Sequence, residues 1–154
     1  MDAAKMKGML RELRFSADLP DSLLEQLAEE MQEVSIPAGS TVFREGAENH
    51  SLYLVIHGHF TLSMNVPGRG AVPILTVGEG EMFGWSSLLG EGKMTTSAVA
   101  TEDSLCLVVE AAKLHELSEA DAAFGYHLMR RMAGAVSSRL IATRLQLLDL
   151  FGDH

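Results

Sequence analysis

The spacing of apolar residues changes twice along the chain, from a helical period to alternation and back to a helical period. In the first part, apolar side chains recur every three or four residues, which predicts short amphipathic helices over 2–13 and 23–33. Asp21 and Ser22 are the expected caps of the second helix, because their side chains can accept hydrogen bonds from its first free N–H groups.

Alternation of apolar and polar residues begins near Val34, and glycine or proline turns divide it into short segments. One strand is predicted to end at Ile36, and others are predicted at 41–43, 51–57, 59–64, 71–77, 95–100 and 104–110. Between 78 and 94 a glycine-rich insert interrupts the strands and contains one helical turn, Ser86–Leu89. Short strands at this spacing predict a mainly β domain, a sandwich or jelly roll, with flanking helices.

The last part of the chain has a helical period again, first over 111–117 and then from Glu119 or Asp121 to about Leu150. Two apolar stripes run along this long helix. The first has the alternating steps of four and three that are typical of a coiled-coil seam. Its members are Met129, Ala133, Val136, Leu140, Thr143, Leu147 and Leu150. The second, adjoining stripe consists of Leu128, Met132, Ile141, Leu145 and Leu148.

A helix with two apolar stripes needs two partners to cover them. The β domain can cover one stripe. The same helix of a second subunit would cover the other, which predicts a homodimer through this helix. Packing of both stripes within one subunit is the alternative.

Composition and charge exclude several function classes. The 154 residues are 47% hydrophobic, which is enough for one real core and predicts one domain, with or without an appended helix. The net charge of −9 argues against binding of duplex nucleic acid, which needs clustered Lys and Arg. No leader-like segment opens the chain and no apolar run approaches a bilayer span, so we expect a cytoplasmic location without membrane contact.

The residues that could carry catalysis or bind metal are scattered. The single cysteine, Cys106, lies in an apolar run and is predicted to be a buried thiol. His57 and His59 share a strand face without a third ligand at a matching spacing, which favours a surface pair beside a turn. No catalytic triad, cysteine nucleophile or phosphate-binding loop stands out, so we predict no enzyme, no metal and no resident cofactor. A cupin-like metal-dependent enzyme is the disfavoured alternative.

Several glycine-punctuated motifs occur in a characteristic order. They are FREG at 43–46, YLVIHG at 53–58, GEGEMFG at 78–84 and LL at 88–89. With the flanking helices they resemble the cyclic nucleotide-binding domain, and more narrowly the sensor half of catabolite activator and FNR-type regulators. The resemblance implies a β-roll, also described as a double-stranded β-helix. It divides the chain into an N-terminal helical segment (1–18), the β-roll with its own N-terminal helix (19–120) and the long C-terminal helix (121–151).

In that family the glycine-rich insert is the phosphate-binding cassette, where a Glu binds the ribose 2′-hydroxyl and an Arg meets the cyclic phosphate. Here Trp85 stands in place of the Glu and Thr95 in place of the Arg. The resemblance assigns ligand contacts to Phe83, Gly84, Trp85, Ser86, Ser87, Leu88, Thr95, Thr96 and Ser97. It also implies a contact to the base from Ser137 and Ser138 of the long helix.

Loss of both charged anchors changes the expected ligand. Hydrogen bonds to charged groups contribute about 1.5–3 kcal/mol each, so cyclic AMP affinity should fall by about two orders of magnitude or more. Lys93 could supply a positive charge, although it is equally a solvated link residue. The indole of Trp85 and the neighbouring hydroxyls suit a less charged or partly aromatic ligand. We therefore predict a non-enzymatic sensor domain whose ligand is weakly bound cyclic nucleotide or another small molecule.

Two alternatives remain open at this point. The chain could be a genuine cyclic AMP or cyclic GMP module, or Trp85 could fill the pocket and leave an interaction module that works by dimerisation. In the activator family a winged helix-turn-helix follows the long helix, and here 147–151 resembles the hinge before it. The sequence is that of a sensor domain cut from a longer regulator or of a stand-alone module, with a slight preference for the second. We expect no DNA binding by this polypeptide itself.

Overall fold

The two N-terminal helices pack against each other and precede the β domain in the chain. The computed structural model describes residues 3–13, 15–89 and 92–152, and α1 (Ala3–Glu12) packs beside α2 (Asp21–Glu30). The predicted caps of α2 are wrong. Pro20 occupies the N-cap position, where its carbonyl accepts hydrogen bonds from Leu23 N and Leu24 N, both at 3.0 Å. Asp21 instead forms ion pairs with Lys7 and Arg11 of α1.

The predicted end of α2 is wrong as well. The helix stops at Glu30, three residues before the expected 33, and Met31 has an extended backbone with ψ 150°. The first strand then begins at Gln32 and pairs antiparallel with the last strand, register Gln32↔Val108. Sheet pairing, which is not visible in local periodicity, therefore determines this boundary.

Two antiparallel sheets of four strands each form the β domain. Their strands are β1 (Gln32–Ile36), β2 (Thr41–Phe43), β3 (Ser51–His57), β4 (Phe60–Val66), β5 (Gly70–Val77), β6 (Met82–Phe83), β7 (Ser97–Ala100) and β8 (Ser104–Glu110). The strand order is β1-β8-β3-β6 in one sheet and β2-β7-β4-β5 in the other. The predicted mainly β roll is confirmed. The predicted strand at 95–100 is two residues too long, and the two-residue β6 is too short to produce an alternating pattern.

Three helices complete the fold: α3 (Ser86–Leu89), α4 (Ala111–Ala120) and α5 (Ala122–Gly152). The break between α4 and α5 lies at Asp121, whose Oδ1 accepts hydrogen bonds from Ala123 N at 3.0 Å and Phe124 N at 3.3 Å. A helix that opens at Asp121 was one of the two predicted starts, and α4 runs three residues further than predicted. None of the helices within the described ranges has the length and hydropathy that a bilayer span requires.

The strands β3 and β8 are buried on both faces and separate two groups of buried side chains. We call the group between the two sheets the roll core; it consists of Ile36, Phe43, Val55, Phe60, Leu62, Val77, Phe83, Met94, Ala98, Ala100 and Cys106. We call the group on the other side the helical core; it consists of Met6, Leu10, Leu13, Leu19, Leu23, Leu24, Leu27, Ala28, Met31, Leu52, Leu54, Met82, Leu88, Leu107, Val109, Ala111, Leu114, Phe124, Leu128 and Met132.

Among the side chains of α5 that the structure describes, those in the helical core lie along the first half of the helix. Phe124, Leu128 and Met132 are 2%, 4% and 1% exposed, whereas Leu145 and Leu148 of the same helix are 58% and 66% exposed. The predicted seam is exposed where its side chains are described, at Met129, Ala133, Val136 and Leu140. The side chains of Thr143, Leu147 and Leu150 lie outside the described part of the structure. The second stripe is therefore divided between a buried N-terminal part and an exposed C-terminal part.

Candidate functional site

Gly84 changes the direction of the backbone within the insert. Its φ is +86°, and an added Cβ would lie 2.8 Å from the backbone oxygen of Ser51 and 3.3 Å from Cδ2 of Tyr53. Only glycine adopts this conformation in so little space without strain. In an extended strand, residues two apart face the same side. Because Gly84 interrupts the strand geometry, Phe83 packs in the roll core while Trp85 packs against the helical core.

Aromatic rings occupy the roll core beside the insert. Phe83, which is fully buried, stacks on Tyr53 with ring centroids 4.9 Å apart and an interplanar angle of 9°. It also contacts Phe60 at 4.6 Å and Phe43 at 6.0 Å between centroids. Burial raises the pKa of the Tyr53 hydroxyl, which donates a hydrogen bond to Asn49 Oδ1 at 3.4 Å. The predicted ligand residue Phe83 is thus a central packing residue of the domain.

The short helix α3 uses its polar groups internally. Ser87 is 8% exposed, and its hydroxyl lies 2.6 Å from Gly84 O and 3.1 Å from Ser51 O, to either of which it can donate. The backbone N–H of Ser87 donates to Gly84 O at 3.1 Å, and that of Leu88 donates to Trp85 O at 2.9 Å. Leu88 points into the helical core, and Ser86 is half-buried. The hydroxyl and N–H of Ser87 therefore hold the insert in shape.

The predicted anchor position, Thr95, lies between the insert and β7. Thr95 is exposed, whereas Thr96 and Ser97 are half-buried. The Ser97 hydroxyl accepts a hydrogen bond from Glu45 N at 2.8 Å, which ties β7 to the loop after β2. Lys93 is exposed and lies opposite Glu48 in an isolated β-bridge. Thr95 thus presents a neutral hydroxyl in the position where the resemblance implies the charged Arg.

Trp85 contacts an arginine that sequence reasoning missed. The guanidinium carbon of Arg139, on α5, lies 4.1 Å from the centroid of the Trp85 ring, a cation–π geometry. The same guanidinium donates a hydrogen bond from Nη2 to the backbone oxygen of Met82. Desolvation lowers the pKa of Arg139, and the nearby Glu81 opposes that shift, so the side chain stays charged at neutral pH. This contact joins the insert directly to the long helix.

A cavity of about 410 Å³ lies between α5 and the 80–82 segment at the start of the insert. Arg130, Arg131, Ser138 and Arg139 line it from α5, and Leu75 and Glu81 line it from the β domain. Trp85 and Thr95 are not among its lining residues. Of the two predicted base contacts on α5, Ser138 lines this cavity and the exposed Ser137 does not. Ser138 therefore lines a cavity that the predicted insert residues Trp85 and Thr95 do not line.

His57 and His59 lie at the surface, and each is paired with a different carboxylate. His57 Nδ1 is 3.3 Å from Glu79 Oε1, and His59 Nδ1 is 2.5 Å from Glu102 Oε1. Between them Gly58 has a φ of +103°, so the two rings do not share a regular strand face. Among the described residues no group of three or more His, Cys, Asp or Glu side chains is arranged to hold a metal ion.

Arg139 gave little signal in the sequence. It follows Ser138 on a helix whose apolar stripes dominate the pattern, and an exposed arginine would give the same periodicity. Only the long side chain and the position of α5 across the insert bring its charge to Trp85. A useful clue was the concentration of Arg130, Arg131 and Arg139 on one helix of a chain with a net charge of −9.

Comparisons with known proteins agree with this architecture. The family model described as the cyclic nucleotide-binding domain matches residues 33–121. Among curated proteins, the cyclic AMP receptor protein of Thermus thermophilus is 38% identical over 73 residues, which cover 47% of this chain and 34% of that protein. A CRP-like cAMP-activated global transcriptional regulator of Mycobacterium tuberculosis is 36% identical over 78 residues, 50% of this chain and 34% of the regulator. The match spans about a third of the length of these relatives.

Solved structures extend the similarity to most of the chain. A candidate cyclic nucleotide-binding protein from Geobacter metallireducens is 32% identical. The match covers 91% of this chain and 98% of that protein, with a TM-score of 0.76. The catabolite activator protein of Thermus thermophilus is 27% identical, with 94% of this chain and 63% of that one covered and a TM-score of 0.71. A cyclic nucleotide-binding domain from Methylobacillus flagellatus shares the fold at 20% identity, with a TM-score of 0.82 over 96% of this chain and 83% of that domain.

Proposed function

The chain belongs to the cyclic nucleotide-binding domain family, and from that premise we propose that it is a non-enzymatic regulatory domain with a ligand other than tightly bound cyclic AMP. The observation that carries the proposal is the replacement of both charged anchors of the insert, by Trp85 and Thr95. Trp85 packs against the helical core and Arg139, and Thr95 is exposed and neutral. A cyclic phosphate would find hydroxyls at the insert in place of a charged, multi-donor partner.

Packing around the insert supports the same proposal. The rings of Phe43, Tyr53, Phe60 and Phe83 lie against one another between the sheets, and Phe60 and Phe83 are fully buried. A purine nucleotide bound among them would have to displace rings that form the centre of the roll core. Displacement of well-packed buried aromatics costs several kcal/mol, and the ligand contacts of the weakened anchors do not offset this cost.

Regulation would pass through α5. The Arg139 guanidinium holds α5 to Trp85 and to Met82 O, so occupancy near the insert would change how the helix sits on the β domain. A ligand that binds one of two arrangements more tightly shifts the equilibrium toward that arrangement. The exposed seam residues Met129, Val136 and Leu140 would pack against the same helix of a second subunit and form a homodimer.

Calorimetric titration with cyclic AMP tests the ligand part of the proposal. We expect no saturable binding at sub-micromolar concentration, because loss of two charge-assisted contacts weakens affinity by about two orders of magnitude. Cyclic AMP binding with a sub-micromolar Kd would instead make the chain an ordinary cyclic nucleotide receptor and would refute the proposal.

Sedimentation equilibrium tests the dimer. Leu140→Glu, which places a charge on the exposed seam, should convert a wild-type dimer to monomer at the same protein concentration. Ala122→Glu adds the same charge to the exposed first turn of α5 and is the matched control, which should remain dimeric. A wild-type protein that is monomeric throughout the micromolar range would contradict this part of the proposal.

A further inference from the structure

We propose that the cavity between α5 and the 80–82 segment binds a small organic anion, whose carboxylate or phosphate is held by arginines of α5. The proposal rests on the proposed function, since it names the ligand class that replaces cyclic AMP. It places the positive charge of the site on the long helix, opposite the insert. The cavity measures about 410 Å³, within the range of small-molecule sites.

The charge of the lining favours an anion. Arg130, Arg131 and Arg139 contribute three positive charges and Glu81 one negative charge, which leaves +2 on the cavity wall. Arg131 also forms an ion pair with Asp18, so the local balance with that carboxylate included is +1. The whole chain carries a net charge of −9, so this wall is opposite in sign to the rest of the molecule. Such a contrast in sign draws an anion to the cavity.

The side chains differ in how they are held. Arg139 is fixed by Trp85 and by Met82 O, and Arg131 is fixed by Asp18, so both present their charge in a defined place. Arg130 is exposed at the edge of the cavity and can swing onto a bound group. A planar guanidinium pairs with carboxylate or phosphate oxygens through two parallel hydrogen bonds. Two preorganised arginines and one adaptable arginine fit such a group.

The rest of the wall suits the carbon part of the ligand. Phe15, Leu75 and Ala135 line the cavity with apolar surface, and Ser138 adds a hydroxyl. Glu81 turns one carboxylate oxygen toward its own loop, where Gly78 N donates to Oε1 at 3.1 Å. The ligand class is therefore an anion with a compact apolar or aromatic body, and phenyl phosphate is a suitable probe.

Calorimetry with phenyl phosphate, with Trp85 emission recorded in parallel, tests this assignment. Trp85 is the chain's single tryptophan, and Arg139 lies 4.1 Å from its ring, so a ligand on Arg139 changes its emission. We expect saturable binding of phenyl phosphate with a change in emission, and no comparable response to the uncharged benzyl alcohol. Arg130→Gln should weaken the affinity by about tenfold, because it removes one charge-assisted contact.

Arg144→Gln is the matched control, since Arg144 is exposed on the same helix and does not line the cavity. It should leave the affinity at the wild-type value, and circular dichroism should show that both variants fold. The cavity proposal is overturned if phenyl phosphate does not bind, if benzyl alcohol binds equally well, or if Arg130→Gln and Arg144→Gln behave alike. The two proposals fail separately: sub-micromolar cyclic AMP binding that Arg130→Gln leaves unchanged overturns the proposed function.

Discussion

The roll core and the helical core share the strands β3 and β8 but differ in what surrounds them. Val55 and Cys106 face the roll core, whereas Leu54 and Leu107 of the same two strands face the helical core. The roll core is closed by stacked aromatic rings, and the helical core is rich in leucine and methionine and borders an arginine-lined cavity. One sheet can therefore carry a rigid interior on one face and an adaptable, positively charged border on the other.

The largest expected difference between the two cores is in the cost of removing a buried ring. Phe83→Ala and Phe124→Ala should each lower the free energy of unfolding by about 3–5 kcal/mol. Phe83 should be the costlier by about 1 kcal/mol, since it loses aromatic contacts while leucine and methionine neighbours around Phe124 can relax. Urea unfolding of the two variants measures the difference.

Tyr126→Ala is the control for both substitutions, because this ring is 61% exposed and its removal should change stability by less than about 0.5 kcal/mol. Equal costs for Phe83→Ala and Phe124→Ala would mean that the two cores are equally rigid, and the contrast drawn above would not hold.

The strands were the most predictable part of the fold. The bounds of β2, β3 and β8 agree with the sequence prediction, because each is an alternating or continuous apolar segment between glycine, proline or acidic turns. The end of α2 was mispredicted, since pairing of β1 with β8 took residues that continue the helical pattern. Local periodicity does not register a partner 70 or so residues away in the chain.

The site was less predictable than the fold. Trp85 was expected to contact a ligand or to fill the pocket, because the resemblance assigns it to the phosphate-binding cassette. In the structure Gly84 has a positive φ, and the indole that follows it packs against the helical core. Arg139 was missed because its role depends on tertiary contact between α5 and the insert. A glycine in a motif predicts a turn, but the direction of the next side chain depends on the backbone conformation that the glycine adopts in the fold.

Restoring the charged anchors would test the difference between insert and helix directly. Trp85→Glu combined with Thr95→Arg should raise cyclic AMP affinity by about two orders of magnitude, since each supplies a charge-assisted hydrogen bond. Calorimetry against wild type measures the gain. Trp85→Gln with Thr95→Gln, which changes the same positions without charge, should gain much less. No gain in the charged double variant would show that packing of the roll core, and not the anchors, excludes the nucleotide.

The two neighbours of Gly84, Phe83 and Trp85, pack in different cores, so its backbone conformation should matter more than that of a helical glycine. Gly84→Ala should destabilise the protein by about 1–3 kcal/mol, because φ is +86° and the new Cβ would lie 2.8 Å from Ser51 O. Gly134→Ala is the matched control in α5, where nothing lies within 4 Å of an added Cβ. It should stabilise by about 0.5–1 kcal/mol. Thermal unfolding measures both effects. A Gly84→Ala variant as stable as wild type would mean that the backbone at this position does not require glycine.

The smallest expected effect is on stability at alkaline pH, and it arises from a buried side chain of the roll core. Burial raises the pKa of the Cys106 thiol from its ordinary value of 9.0 to about 12. Between these values the unfolded chain has lost the thiol proton while the folded chain keeps it, so the unfolded state binds fewer protons. The free energy of unfolding should therefore fall as pH rises, by at most about 1.4 kcal/mol per pH unit from this group.

Cys106→Ala removes this contribution and leaves the other side chains of the roll core, and Tyr53 packed against them, in place. The variant should be less stable than wild type at neutral pH, because a buried side chain is shortened, but its stability should decline less steeply above pH about 9. Urea unfolding under reducing conditions at neutral and alkaline pH gives the two slopes. Parallel slopes for variant and wild type would mean that water reaches the thiol in the folded protein, and that the roll core is less closed than its stacked rings indicate.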